Sequence, residues 1–174
     1  FLYVKSKKMK ISRFLAVILS IVITLTSSQF TSEAKRKKDD KAKYIFLFIG
    51  DGMGMGQVSL TESYLSYKAG KLGGEQLCFT KFPYLALCNT YSANRNITCS
   101  AAAGTAIACG EKTNNEYIGV DPDGKPLESI AYVLHNQGYN VGIMTSVPVN
   151  HATPAAFYGH NSSRYGYYEI SQEI

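Results

Sequence analysis

Residues Tyr44–Gly56 read YIFLFIGDGMGMG, a hydrophobic run that passes directly into an acid set among glycines. Five of the six residues from Tyr44 to Ile49 are aliphatic or phenylalanine, the composition of a strand covered on both faces. Ligands bind at the carboxyl ends of such strands in open α/β sheets. Asp51 sits at that end, flanked by Gly50, Gly52, Gly54 and Gly56. A carboxylate placed there, where glycines let other atoms approach the backbone, is a candidate ligand for a divalent metal. A plain strand-to-helix turn accounts for the same residues equally well. The loop is not a nucleotide fingerprint. After Gly50 and Gly52 the GxGxxG pattern needs glycine at 55, where Met55 stands, and no Gly-Lys-Ser/Thr follows.

Strands and helices then alternate. Gln57–Lys68 has helical character, with Val58, Leu60, Tyr64 and Leu65 as its apolar side, and Lys71–Gln76 is a glycine-rich turn. Leu85–Tyr91 reads as a short strand. Ala101–Cys109 is an alanine-rich helix with Gly110 where a terminating glycine belongs. Glu111–Pro126 is a loop, with turn chemistry at Asp121-Pro122-Asp123-Gly124. Leu127–Gln137 is an amphipathic helix with Ile130, Val133 and Leu134 inward and His135 as a surface or packing residue, and Tyr139–Val147 is another strand. This order predicts an α/β fold: a doubly wound, mostly parallel sheet flanked by helices, of which only the first half is present.

The 174 residues carry a formal charge of +5, but the charge is unevenly placed. Residues 1–43 hold eleven Lys/Arg against three acids, and residues 44–174 hold seven against ten. The basic balance therefore belongs to the leader and to KRKKDDKAK at 35–43. No basic patch with interleaved aromatics follows, which argues against a nucleic-acid partner. From Met9 the chain has the form of an export signal, with Lys10 and Arg13, the apolar run Phe14–Leu25, and Ser32-Glu33-Ala34 as a cleavage site. That run is shorter than the roughly 20 residues of a membrane-spanning helix, so no stable span is expected after cleavage. The expected divisions are 1–8 as upstream sequence, 9–34 as signal peptide, 35–43 as a solvated linker, and 44–174 as the N-terminal part of the α/β domain. The start at Phe1 and the stop within YYEISQEI lead us to expect a chain incomplete at both ends. Export places the protein in a periplasm or outside the cell. Cys78, Cys88, Cys99 and Cys109 form no metal-binding spacing; either a Cys78–Cys88 bridge or four free thiols fits them.

Two further clusters carry chemistry. Ser100 stands at the mouth of the alanine-rich helix in TCSAAAGTA, where free amides and the helix dipole favour negative charge. A serine there is either a simple N-cap or a nucleophile whose alkoxide the helix terminus and a metal would favour. Beyond the last predicted strand come His151, Thr153 and Pro154 in HATPAAFYGH, then Arg164. Thr153 and Pro154 can cap and start a helix. Arg164 offers either a surface charge or a bidentate clamp for phosphate.

DGMG around Asp51, TCSAAAGTA around Ser100, and HATPAAFYGH with Arg164 together resemble the alkaline phosphatase family, in its order and with compatible spacing. The resemblance covers about residues 44–170. It implies hydrolysis of phosphate monoesters through a phosphoserine, with two zinc ions and one magnesium ion, in a protein that can be a homodimer. Asp51 would bridge one zinc and the magnesium. Ser100 would be the nucleophile, coordinated by the same zinc as it attacks, and Thr153 a magnesium ligand. Arg164 would bind two oxygens of the substrate phosphate or of inorganic phosphate. His151 falls where family members carry aspartate or histidine beside the magnesium.

The chain departs from the family in two respects. Many members have aspartate immediately before the serine, where it orients the arginine, and this chain has Cys99. The family's remaining metal ligands come from later in its chain, so the 174 residues alone are expected to be inactive. A related sulfatase is the alternative enzyme, but Cys99–Ala103 lacks its proline and arginine. A phosphodiesterase relative would use Thr98 in place of Ser100. An exported, non-catalytic phosphate-binding module is the alternative outside enzymes.

Overall fold

The computed structural model describes residues 42–174. The upstream stretch, the signal segment and all of the basic linker before Ala42 lie outside the described residues. Residues 49–174 form one compact unit, and residues 42–48 lie outside that unit. In that short piece Phe46 and Phe48 stack at 6.5 Å between ring centroids.

Five α-helices order the described residues: α1 (Met55–Lys68), α2 (Ser100–Cys109), α3 (Ile130–Asn136), α4 (Ala152–Ala155) and α5 (Tyr167–Ser171). A single 3-10 turn, Phe79–Lys81, lies between α1 and α2. No strand ladder occurs among the described residues. Residues 44–49, 85–91 and 139–147, predicted as strands, are neither helix nor strand. A run that is apolar on both faces needs a neighbour on each side before it can be a strand. The described residues supply none. Two isolated antiparallel bridges are present, Ile118–Asn161 and Val120–Pro126.

The core sits where α2 meets α4. Ala101, Ala102, Gly104, Thr105 and Ala108 are the buried side of α2, and Ala152, Pro154 and Ala155 are buried on α4. Small side chains let the two helices come close. A methyl group at Gly104 would lie 3.2 Å from Ala156 Cβ. Ile118 and Ile170, from the loop after α2 and from α5, close the cluster. Gly110 ends α2 in the left-handed region at φ 76, as predicted.

The loop after α2 is pinned on both sides. Ile118 and Asn161 exchange backbone hydrogen bonds of 2.8 and 2.9 Å. Thr105 Oγ1 accepts the Gly119 N–H at 2.9 Å from inside the core. The predicted turn is present, with Asp121 Oδ1 accepting from the N–H groups of Asp123 and Lys125. These ties fix the segment that carries Arg164 against the helix that carries Ser100.

Two predicted helices differ in detail. On α1 the expected apolar side is largely exposed at Leu60, Tyr64 and Leu65, and the buried residue is Ser66. Ser66 and Glu62 are used to hold the following turn: Ser66 Oγ accepts the Glu75 N–H, and Glu62 Oε1 accepts the Leu77 N–H and the Thr80 hydroxyl. The helix expected over 127–137 is confined to α3, with Ser129 just before it donating to the Phe157 carbonyl at 2.6 Å. Ile130 is exposed and no α3 residue is fully buried; Val133 and Leu134 are half-buried. His135 is exposed, the first of its two alternatives. Cys78, Cys88, Cys99 and Cys109 are all free thiols, so the Cys78–Cys88 alternative is not formed.

Candidate active site

Asp51 leaves the hydrophobic run in a tight turn. The Met53 N–H donates to the Gly50 carbonyl at 3.2 Å, and Gly52 takes φ 69. The turn leaves the Asp51 carboxylate exposed, and its two oxygens are used separately. Ser100 Oγ donates to Oδ1 at 3.1 Å, and Thr153 Oγ1 donates to Oδ2 at 2.7 Å. One carboxylate thus joins residues 49 and 102 positions away in the chain. Hydrogen bonds to an ionised acceptor are shorter and stronger than neutral ones, which suits the Thr153 contact.

Both hydroxyls are free for this because neither caps its helix. Ser100 is the first residue of α2, and Cys99 holds the N-cap position without a side-chain cap bond. In α4 the N-cap position belongs to His151, so Thr153 lies inside the first turn rather than before it. Simple capping is therefore not the role of Ser100 or of Thr153. The rival hydroxyl, Thr98 Oγ1, donates at 3.2 Å to the carbonyl of its neighbour Cys99 and takes no part in the cluster.

Arg164 and His151 form a second pair. Arg164 Nη2 lies 3.4 Å from His151 Nε2. A guanidinium can only donate, so Nε2 is the acceptor of this contact, which leaves Nδ1 as the other ring nitrogen. That Nδ1 is buried and has no hydrogen-bond partner. His151 is thus tied to Arg164, and no hydrogen bond links it to Asp51. Arg164 is half-buried on the turn after Asn161, where Asn161 Oδ1 accepts the Ser163 N–H at 2.8 Å.

The Arg164 charge also reaches Cys99. Burial pushes the Cys99 thiol up, but the N–H groups of Ala102, Glu116 and Ala101 and the Arg164 charge outweigh it. The thiol is left below its ordinary range. The Glu116 N–H donates to Cys99 Sγ at 3.0 Å. Ala101 and Ala102 point at the sulfur without closing a cap bond.

The donor set of the cluster is a carboxylate and two hydroxyls, all oxygen. That set fits a hard divalent cation such as magnesium. Among the described residues no group of three or more His, Cys, Asp and Glu could hold a metal ion.

Sequence reasoning passed over Asn115 and Glu116. Asn115 Oδ1 accepts the Cys99 N–H at 3.1 Å, directly before Ser100. Glu116 is the one non-glycine residue with positive φ among the described residues, at 75. Such a backbone costs about 1–3 kcal/mol and tends to collect at functional sites. The sequence gives only a polar loop here, and no spacing announces either contact.

Comparison with known proteins bears on the cluster. A family profile described as alkaline phosphatase matches residues 42–173. The chain is similar to alkaline phosphatase 4 of Bacillus subtilis, 52% identical over 69 residues that take in 40% of this chain and 15% of that enzyme. Its structure resembles the cold-active alkaline phosphatase of Shewanella sp., with TM-score 0.67 and 36% identity over 72% of this chain and 31% of that one. It also resembles a variant alkaline phosphatase from the Antarctic bacterium TAB5, solved with magnesium bound in its M3 site, with TM-score 0.60 and 31% identity over 72% of this chain and 34% of that one. The chain thus spans about a third of the solved relatives' length and less of the curated one.

Proposed function

Because this chain belongs to the alkaline phosphatase family, we propose that the full-length protein carrying it hydrolyses phosphate monoesters through a phosphoserine at Ser100. The observation that supports this reading most is the Asp51 carboxylate, which accepts from Ser100 at 3.1 Å and from Thr153 at 2.7 Å. Residues remote in the chain converge on one exposed acid beside a helix terminus. A non-catalytic phosphate binder has no need to aim a serine at a carboxylate.

In the reaction Ser100 Oγ gives up its proton and forms a bond to phosphorus, while the ester oxygen departs with the electrons of the broken P–O bond and takes up a proton to leave as the alcohol. Water then attacks the same phosphorus, the serine–phosphorus bond breaks, and inorganic phosphate is released. The α2 N-terminus favours the charge on Ser100 Oγ. Arg164 holds the phosphate oxygens, and His151 Nε2 lies 3.4 Å from its guanidinium.

Asp51 would hold a zinc and the magnesium, with Thr153 on the magnesium and His151 beside it. Two zinc ions and one magnesium ion, when bound, supply charge for the attacking and leaving oxygens. Asp51, Thr153 and His151 are too few ligands for three ions, so the 174 residues alone would not turn over substrate. On the same reading, residues 44–49, 85–91 and 139–147 are strands of a mostly parallel sheet completed by other chain. Export through residues 9–34 would place the enzyme in a periplasm or outside the cell. Among the described residues no helix is long and apolar enough to cross a membrane.

Ser100→Ala in the full-length protein tests the reading directly. Hydrolysis of p-nitrophenyl phosphate should fall on the order of a thousandfold or more, as for loss of other nucleophiles. Acid-quenched protein should also lose the phosphate label on this serine. Activity that survives the change removes Ser100 as nucleophile.

A further inference from the structure

Asn115 spans the chain that leads into Ser100. Its Oδ1 accepts the Cys99 N–H at 3.1 Å, and its Nδ2 donates to the Ile97 carbonyl at 3.0 Å. A primary amide offers one donor and one acceptor side by side, so it stands in for the peptide of a neighbouring strand. The amide is itself held, since the Asn115 N–H donates to Asn94 Oδ1 at 2.9 Å. Its neighbour Glu116, at φ 75, gives its N–H to Cys99 Sγ at 3.0 Å. A left-handed non-glycine residue persists only where its surroundings over-determine it. Cys99 is thus gripped at its N–H and at its sulfur by two consecutive residues.

We propose that Asn115 is a positioning residue for catalysis, its side-chain amide fixing the Ile97–Cys99 backbone so that Ser100 Oγ is aimed at the reacting phosphorus. This rests on the phosphatase reading above. Cys99 closes no side-chain cap bond. The start of α2 is therefore also held from outside the helix, and the outside group on the Cys99 N–H is Asn115. Ser100 follows immediately, so a rotation at Cys99 carries the hydroxyl away from Asp51 Oδ1. Asn115 makes no hydrogen bond to Asp51, Thr153 or Arg164, so its loss should disturb attack while leaving phosphate binding intact.

The test uses Asn115→Ala, Asn115→Asp and Ser100→Ala in the full-length, metal-loaded protein. A misplacement of about 1 Å at a reacting atom costs on the order of 100-fold, so kcat of Asn115→Ala should fall by about that factor. KM and inhibition by inorganic phosphate should stay within about threefold, because ground-state binding is not touched. Asn115→Asp keeps the acceptor for the Cys99 N–H but loses the donor to Ile97, and should recover part of the lost kcat. Wild-type kcat in either folded variant overturns the proposal, as does a matched rise in KM and in the phosphate inhibition constant. Failure of both variants to fold makes the amide merely structural and equally overturns it. If Ser100→Ala remains active, the phosphatase reading itself falls. If Ser100→Ala is inactive while Asn115→Ala keeps full kcat, only the positioning role is lost.

Discussion

The packed unit of α2, α4 and α5 and the stretch from Met55 to Tyr91 are built on opposite terms. In the first, the helices and the loop after α2 bury alanines, Ile118 and Ile170, and that loop is tied by paired backbone bonds. In the second, Leu85 and Leu87 are 92% and 93% exposed and the buried residue of α1 is a serine. What order the second has comes from polar ties, with Glu62 and Ser66 holding the turn and a Lys71–Glu75 ion pair at its surface. The candidate site draws from both kinds of structure. Ser100 and Thr153 stand on helices packed into the core, the start of α2 being held in addition by Asn115, whereas Asp51 stands on a glycine turn outside that core. Preorganisation in this site is therefore unequal: the hydroxyls are placed by the core, and the carboxylate meets them through hydrogen bonds.

The largest effect should come from breaking the packed stretch. A Cβ at Gly119 would lie 2.1 Å from the Gly159 carbonyl oxygen, and Gly119 is at φ 58. Gly119→Ala therefore combines overpacking against rigid backbone with a left-handed conformation, together about 3–4 kcal/mol. Urea unfolding of the full-length protein should show that loss. Because the Ile118–Asn161 bridge adjoins it, Arg164 should shift and phosphate inhibition weaken as well. A variant of wild-type stability would mean that the two loops are not packed as the structure has them.

How much of this was legible in the sequence follows the same division. The helices α1 and α2 were legible because their signals are local: helix-forming residues, and Gly110 at a left-handed terminus. The meeting of Asp51, Ser100 and Thr153 was legible only through three ordered motifs, since no periodicity links positions 49 and 102 residues apart. The helix starts at α2 and α4 were misplaced by one or two residues, which changes Ser100 and Thr153 from caps into free hydroxyls. The short helix α5 was not anticipated, because Tyr167–Ser171 lacks a cap residue and a run long enough for a period. Asn115 was illegible for a different reason. A side-chain amide can pair with any nearby peptide, and only the fold decides which.

A middle-sized effect should decide what the open stretch is for. Leu87 is almost fully exposed among the described residues. If residues 85–91 are a strand of the proposed sheet, other chain covers this leucine in the full-length protein. Leu87→Ser there should cost about 2–3 kcal/mol, as large-to-small and polar changes do in a core. A cost below about 0.5 kcal/mol is that of a surface site and would remove the strand from 85–91.

The smallest effect sharpens the comparison through the thiols. Cys109 lies at the end of α2 among core residues, and burial, then the Glu111 charge, push its thiol up. Cys78 and Cys88 lie in the open stretch and are exposed. The folded state therefore favours neutral Cys109. The stability from this thiol is fully present below its unfolded value, about 8.5, and is lost as pH rises through that value toward the higher folded one. Iodoacetamide at pH 8 should label Cys78 before Cys109, because only thiolate reacts and only exposed sulfur is reached. Glu111→Gln should speed Cys109 labelling only modestly, since burial is the larger cause and remains. Labelling of Cys109 as fast as Cys78 would show that the end of α2 opens freely, and the contrast between the two stretches would then be one of degree rather than kind.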